Sequence, residues 1–173
     1  MSAYVRNVLS IAKIPFSPFV PAELKAVVRD VYLTDAGQLV GPYSRMLSRR
    51  RNFLDKIDAA SGANAGPYNS WECHHVVERQ DLERLSINGK VPTYSRQICV
   101  LLPSHGHSSR VSGVLRGEIP VGDLVTIDDV LPAYSSAYEI LGNYSGGGDK
   151  NIQRELEAIV NAVLHLAGLL PKP

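Results

Sequence analysis

Two β-prone runs, Trp71 to Val77 and Gln97 to Leu102, interrupt a chain that otherwise reads as helix and loop. After Pro103, the segment His105 to Leu115 takes up a helical pattern, weakened by Gly106 and three serines. Strand, strand, helix in that order predicts a compact ββα unit at the centre of the chain. Between the two runs, Gln80 to Leu85 reads as a helical turn or two, and Asn88-Gly89-Lys90 as a turn before Pro92.

The flanks differ from this centre. Tyr4, Val5, Val8, Leu9 and Ile11 recur at helical spacing and predict an amphipathic helix over 2–14. Pro15, Pro18 and Pro21 then impose an extended connector. Proline at a helix start predicts a second helix over 22–32, closed by a turn at Thr34-Asp35-Ala36-Gly37. A third helix is expected over 43–60, with Met46, Leu47, Phe53, Leu54 and Ile57 on its apolar face, followed by a loop through Pro67.

Downstream, Thr126-Ile127-Asp128-Asp129 resembles a helix start, for a helix reaching Leu141 and interrupted or delayed by Pro132. Gly142 to Gly148 reads as a glycine-rich linker, and its Gly146-Gly147-Gly148 run as a hinge, because no lysine is placed there as in a phosphate loop. A last helix, capped by Asp149, is expected through Leu166, with Ile152, Leu156, Ile159, Val160, Val163 and Leu164 on its buried side. His165 stands alone on it and reads as a structural or surface residue rather than a ligand. The whole reads as α+β: one domain, 1–173. A helical part over 1–66 leads to a small β-containing centre over 67–118, and a second helical part over 119–173 closes it.

At 173 residues the chain has room for a full hydrophobic core. A net charge of +1 provides no whole-molecule field to attract nucleic acid. Polyanion binding would have to come from local clusters: Arg45 with Arg49, Arg50 and Arg51, or Arg96, Arg110 and Arg116. Cys73 and Cys99 are the only cysteines and neither belongs to a CxxC pair, which excludes a four-thiolate zinc site. They read as half-buried strand thiols, with a single disulfide possible but not required. No apolar stretch is long enough to span a bilayer, and the first fourteen residues lack the features of a Sec-type signal.

Four of the five histidines fall in two clusters, His74-His75 and His105-Gly106-His107. Neighbouring imidazoles can divide two tasks, one holding a cation and the other taking a proton from water near neutral pH. Adjacent side chains of a strand point to opposite faces, so His74 and His75 cannot both bind one ion from a regular strand. On the same alternation Glu72 shares a face with His74.

Residues 71–117, about a quarter of the chain, resemble the HNH/endonuclease VII superfamily of ββα-metal (His-Me finger) nucleases. The resemblance rests on Glu72-Cys73-His74-His75-Val76-Val77 and on Val100-Leu101-Leu102-Pro103 followed by His107. It is closest to toxin branches that form the C-terminal warheads of bacterial polymorphic toxins. It implies a mainly helical domain around a ββα-metal core. It also implies His74 as a metal ligand, His75 as the base that activates water, and His107 as a helix-borne ligand. Many members carry a further histidine four or five residues on; here those places hold Val111 and Ser112, a departure. His105 and Glu72 are the candidates to fill the gap. The resemblance further implies one divalent ion (magnesium, zinc or manganese), a nucleic-acid substrate with DNA favoured, and a cognate immunity protein. By the same resemblance the chain is expected to be an exported effector acting in a target cell's cytoplasm, and otherwise a cytoplasmic protein.

The expected reaction is hydrolysis of a phosphodiester, with Arg96 or Arg110 as contacts to the nucleic acid. Two other readings compete. A structural zinc module would use Cys73, His74, His105 and His107, although Cys73 alternates away from His74. A thiol hydrolase would use Cys73 as nucleophile with His75 or His105 as base, although no local signature surrounds Cys73. The His-x-Glu and Pro-Cys-x-x-Cys pair of zinc deaminases is absent.

Overall fold

The computed structural model describes residues 3–20, 29–47, 71–103, 107–122, 124–144 and 150–173. The amphipathic N-terminal helix is present as α1, Ala3–Ile11, with Val5, Val8 and Leu9 fully buried. The connector after it pairs as a short strand, β1, Phe16–Pro18. It leads to β2, Tyr32–Thr34, and β3, Leu39–Pro42. The two β-prone runs form β4, Trp71–His75, and β5, Ile98–Pro103. Between them lie α2, Arg79–Arg84, and a 3-10 turn, Tyr94–Arg96. Three longer helices complete the chain: α3, His107–Glu118, α4, Ile127–Tyr144, and α5, Lys150–Leu166.

The molecule is therefore mixed α and β, with more sheet than the sequence predicts. Five described strands form one antiparallel sheet in the order β1-β2-β3-β5-β4. The helix expected over 22–32 is corrected at its end, where residues 29–30 are turn and residues 32–34 are strand. The reason is local: the turn at residues 35–37, with Gly37 at φ +78°, folds β3 back onto β2 and recruits both into the sheet. Of the helix expected over 43–60, residues 43–47 are helical and the remainder lies outside the described residues.

Alternation along the strands sorts the side chains into two cores. Tyr32, Val40, Val100 and Leu102 face the main core with α1, α3, α4 and α5. Val31, Leu39, Cys99 and Leu101 face a smaller one, closed by Met46, Phe19, Tyr43 and Cys73. Gly41 on β3 allows close packing on this smaller side. A Cβ there would lie 3.0 Å from the Asp30 carbonyl oxygen and 3.2 Å from both Met46 Sδ and Val31 Cγ2. Gly41→Ala is expected to destabilise the fold by about 1–3 kcal/mol through overpacking, read as a fall in the urea midpoint.

The helical closure explains itself from sequence. At the start of α4, the Asp129 carboxylate accepts the Thr126 backbone N–H at 2.8 Å and its hydroxyl at 2.6 Å. Pro132 does not interrupt the helix. It sits on the exposed face, as does Asp128, whose carbonyl loses its helical donor. The linker expected from Gly142 is corrected at its start, where α4 continues through Tyr144; the hinge expected at Gly146-Gly147-Gly148 lies outside the described residues.

At the end of α5, Gly168 at φ +79° closes a Schellman motif. Leu169 N–H bonds the Leu164 carbonyl and Gly168 N–H bonds that of His165, each at 2.9 Å. His165 Nδ1 lies 3.0 Å from the Leu170 carbonyl, so its role is structural. Glu155 ties α5 to the β2–β3 turn, accepting from the Thr34 hydroxyl at 2.5 Å and the Ala36 N–H at 3.1 Å. Among the described residues no helix is long and apolar enough to cross a membrane.

Candidate active site

β4 pairs with β5 in a register that sets Cys73 opposite Leu101, His74 opposite Val100 and His75 opposite Cys99. Cys73 and His75 therefore share the face of the smaller core, and His74 faces the main one. Both imidazoles are almost fully buried, yet both border an open cleft of about 370 Å³. Cys73, Glu78, Arg79, Gln80, Glu83 and Tyr94 complete its lining. The side chains come from the end of β4, from α2 just after it, and from the 3-10 turn before β5.

His74 lies edge-on to Tyr138 of α4, with ring centroids 6.2 Å apart. Its Nε2 is 3.5 Å from the Tyr138 hydroxyl, which itself donates to the Val76 carbonyl at 2.6 Å. With that hydroxyl proton committed, the phenol oxygen can only accept, so His74 carries its proton on Nε2. Burial, reinforced by the neighbouring His75, lowers its pKa from 6.5 to about 4. The ring is thus neutral at pH 7, as a cation ligand must be.

His75 is held differently. Its Nε2 is 3.3 Å from the Tyr94 backbone carbonyl. A carbonyl only accepts, so this ring also carries its proton on Nε2, and Nδ1 keeps the free lone pair. Burial lowers its pKa, opposed by the Tyr94 carbonyl and by the Glu78 carboxylate. Tyr43 and Tyr94 pack against the imidazole at centroid distances of 4.5 and 4.2 Å and against each other at 4.8 Å. Those three distances form a triangle. The two phenols therefore support the imidazole from one side instead of sandwiching it.

Glu78 joins the cleft to the helices. Its carboxylate accepts from Ser112 Oγ of α3 at 2.5 Å and from Gln80 Nε2 at 2.8 Å. Its N–H donates to the Tyr134 hydroxyl at 2.7 Å, which donates to the wholly buried Asp81 carboxylate at 2.7 Å. Burial raises the Asp81 pKa, because the charged form loses hydration that Tyr134 only partly replaces. Ser112 thus occupies the place where the resemblance expects a histidine, and it holds a carboxylate there.

The sequence candidates fall out unevenly. His74 and His75 come together at the cleft. His107 opens α3 directly after β5, but its side chain, and the whole of His105, lie outside the described residues. Glu72 is exposed on β4, on the face of His74. Arg96 and Arg110 are exposed, on the 3-10 turn and on α3; the arginine lining the cleft is Arg79. Sequence reasoning missed Glu78 and Arg79, although they follow the histidine pair within four residues. It also missed Tyr43, Tyr94 and Tyr138, which carry no local signal and are assembled by the sheet and by α4. Cys73 and Cys99 are not joined by a disulfide, and burial pushes the Cys99 thiol well up.

Among the described residues no three His, Cys, Asp or Glu side chains group as a complete cation site. The donor chemistry at the cleft nevertheless includes a group that suits a divalent ion, the neutral buried imidazole of His74. No family model, no curated protein and no solved structure matches the chain.

Proposed function

We propose that the cleft hydrolyses phosphodiester bonds of nucleic acid, DNA in preference to RNA, as a metal-dependent endonuclease with a ββα-metal core formed by β4, β5 and α3. The observation that carries this reading is the bond between His75 Nε2 and the Tyr94 carbonyl, which leaves Nδ1 as a neutral base beside an open cleft. In this mechanism His75 takes a proton from water at Nδ1, and the resulting hydroxide attacks phosphorus in line with the leaving oxygen. Glu78, at the same cleft, favours the imidazolium that forms.

His74 and His107 would hold one divalent ion (magnesium, zinc or manganese), with His105 or Glu72 as a further ligand. Bound there, such an ion neutralises a non-bridging phosphate oxygen and steadies the leaving group. Tyr138 keeps His74 in the tautomer that presents Nδ1. Arg96 and Arg110 are outer contacts to the phosphate backbone, which position the substrate without reading sequence. The toxin setting carries over as part of the same proposal, with an exported effector and an immunity protein that covers the cleft.

One observation favours a second reading. Cys73 and His75 share a face and a cleft, as a thiol nucleophile and its base would. A single experiment separates the two. Plasmid and total RNA are incubated with the protein, with and without EDTA, then with individual metals added back, in parallel with Cys73→Ser. The nuclease reading expects cleavage that EDTA abolishes, that a divalent ion restores and that Cys73→Ser retains. Intact nucleic acid under every metal condition would overturn it. An activity that iodoacetamide and Cys73→Ser remove, but EDTA does not, would support the thiol reading.

A further inference from the structure

The cleft holds one arginine among its described lining residues, and that arginine is occupied by an internal carboxylate. Arg79 and Glu83 stand one turn apart on α2, with Arg79 Nε 2.7 Å from Glu83 Oε1. Both side chains are largely exposed, 65% for Arg79 and 44% for Glu83, and both line the cleft. An exposed pair of this kind contributes little to stability, so a stronger anionic partner can displace Glu83 at small cost.

The guanidinium is also placed beside the chemistry. Its central carbon lies 5.9 Å from the centroid of the Tyr94 ring, and Tyr94 packs on His75 with centroids 4.2 Å apart. Arg79 therefore stands one ring beyond the imidazole, at the rim of the same cleft. A guanidinium offers a planar fork of donors that suits phosphate oxygens as well as it suits carboxylate.

We infer that Arg79 binds a phosphate of the nucleic-acid backbone next to the bond being cleaved, and that Glu83 occupies the guanidinium until the phosphate replaces it. This rests on the phosphodiesterase reading and adds a binding residue to it. Substrate entry exchanges one ion pair for another, so the helix need not move. Glu83 then acts as a competitor: its negative charge weakens binding of any polyanion and raises the threshold for nonspecific contacts.

The inference makes two neighbouring substitutions act in opposite directions. In EDTA, where cleavage is blocked, anisotropy of a fluorescein-labelled DNA oligonucleotide is followed over a range of salt. Arg79→Gln is expected to weaken binding several-fold and to reduce the slope of log K against log salt by about 0.7–0.9, the loss of one phosphate contact. Glu83→Gln is expected to tighten binding several-fold. His75→Ala, which changes no charge at neutral pH, leaves the slope alone. Arg79 and Glu83 are exposed and His75 is buried, so melting curves confirm for each variant that it folds.

A pair that served only to staple the helix would respond in the same direction to both changes. An unchanged Arg79→Gln slope, or Glu83→Gln binding weakened like Arg79→Gln, overturns the inference while the nuclease reading stands. A parent protein that binds neither this DNA nor a matching RNA oligonucleotide removes both.

Discussion

His75→Ala is expected to slow phosphodiester cleavage by ~10²–10⁴-fold, the usual worth of a general base, while divalent-ion binding persists. The expectation follows from how the ring is held. The Tyr94 carbonyl takes the Nε2 proton, the paired phenols of Tyr43 and Tyr94 fix the ring plane, and burial keeps the imidazole neutral. Alanine removes the basic Nδ1 and leaves His74 and its Tyr138 partner in place. The pH profile of the parent should rise through the His75 pKa, which lies below the ordinary imidazole value because desolvation outweighs the Glu78 charge. Activity therefore persists to lower pH than a free imidazole would allow, and falls only in more acidic solution. Single-turnover cleavage of a labelled duplex, with metal binding measured in parallel by calorimetry, checks both halves. If His75→Ala cuts as fast as the parent, another group is the base.

The elements legible in the sequence are those with long periodic patterns or a strong local signal. α1, α5 and the central strand–strand–helix order all announced themselves through apolar spacing, and the histidine pair lies on β4 as its β-prone run implied. What escaped is short or assembled at a distance. β1 and β2 have three residues each, too few for alternation to register, and β3 carries Gly41 and Pro42 within its four. Pairing with β5 makes β3 a strand, and no residue within it could signal that contact. The same holds for the site. His74 and His75 are readable as a pair, but the partner that sets the His75 tautomer is a backbone carbonyl nineteen positions away. The Tyr138 hydroxyl beside His74 is sixty-four positions away. Ser112 reads only as a missing histidine until Glu78 is found bonded to it.

Acid should weaken this fold through His74. Its folded pKa of about 4 lies below the ordinary 6.5, because the charged ring would lose its hydration against Tyr138 and repel a protonated His75. The unfolded chain therefore binds the proton more readily than the folded one between those two values. Stability is complete above pH 6.5 and is lost as pH falls towards 4. A difference of that size corresponds to about 3 kcal/mol, a large share of the 5–15 kcal/mol typical of a domain. His75, lowered by the same burial, adds to the loss in the same direction.

Urea midpoints measured from pH 7 down to pH 4 should fall steeply in the parent. They should fall much less in His74→Leu, which keeps the buried volume but cannot take up a proton. Any divalent ion held by His74 deepens the parent's dependence, because proton and cation compete for the same nitrogen. Adding the ion should then raise the parent's midpoint at pH 7, and the gain should vanish in His74→Leu. A parent curve as flat as that of His74→Leu would mean that the imidazole protonates without cost. Its environment would then be wet and open, and the neutral ligand that the proposed chemistry calls for would be lost with it.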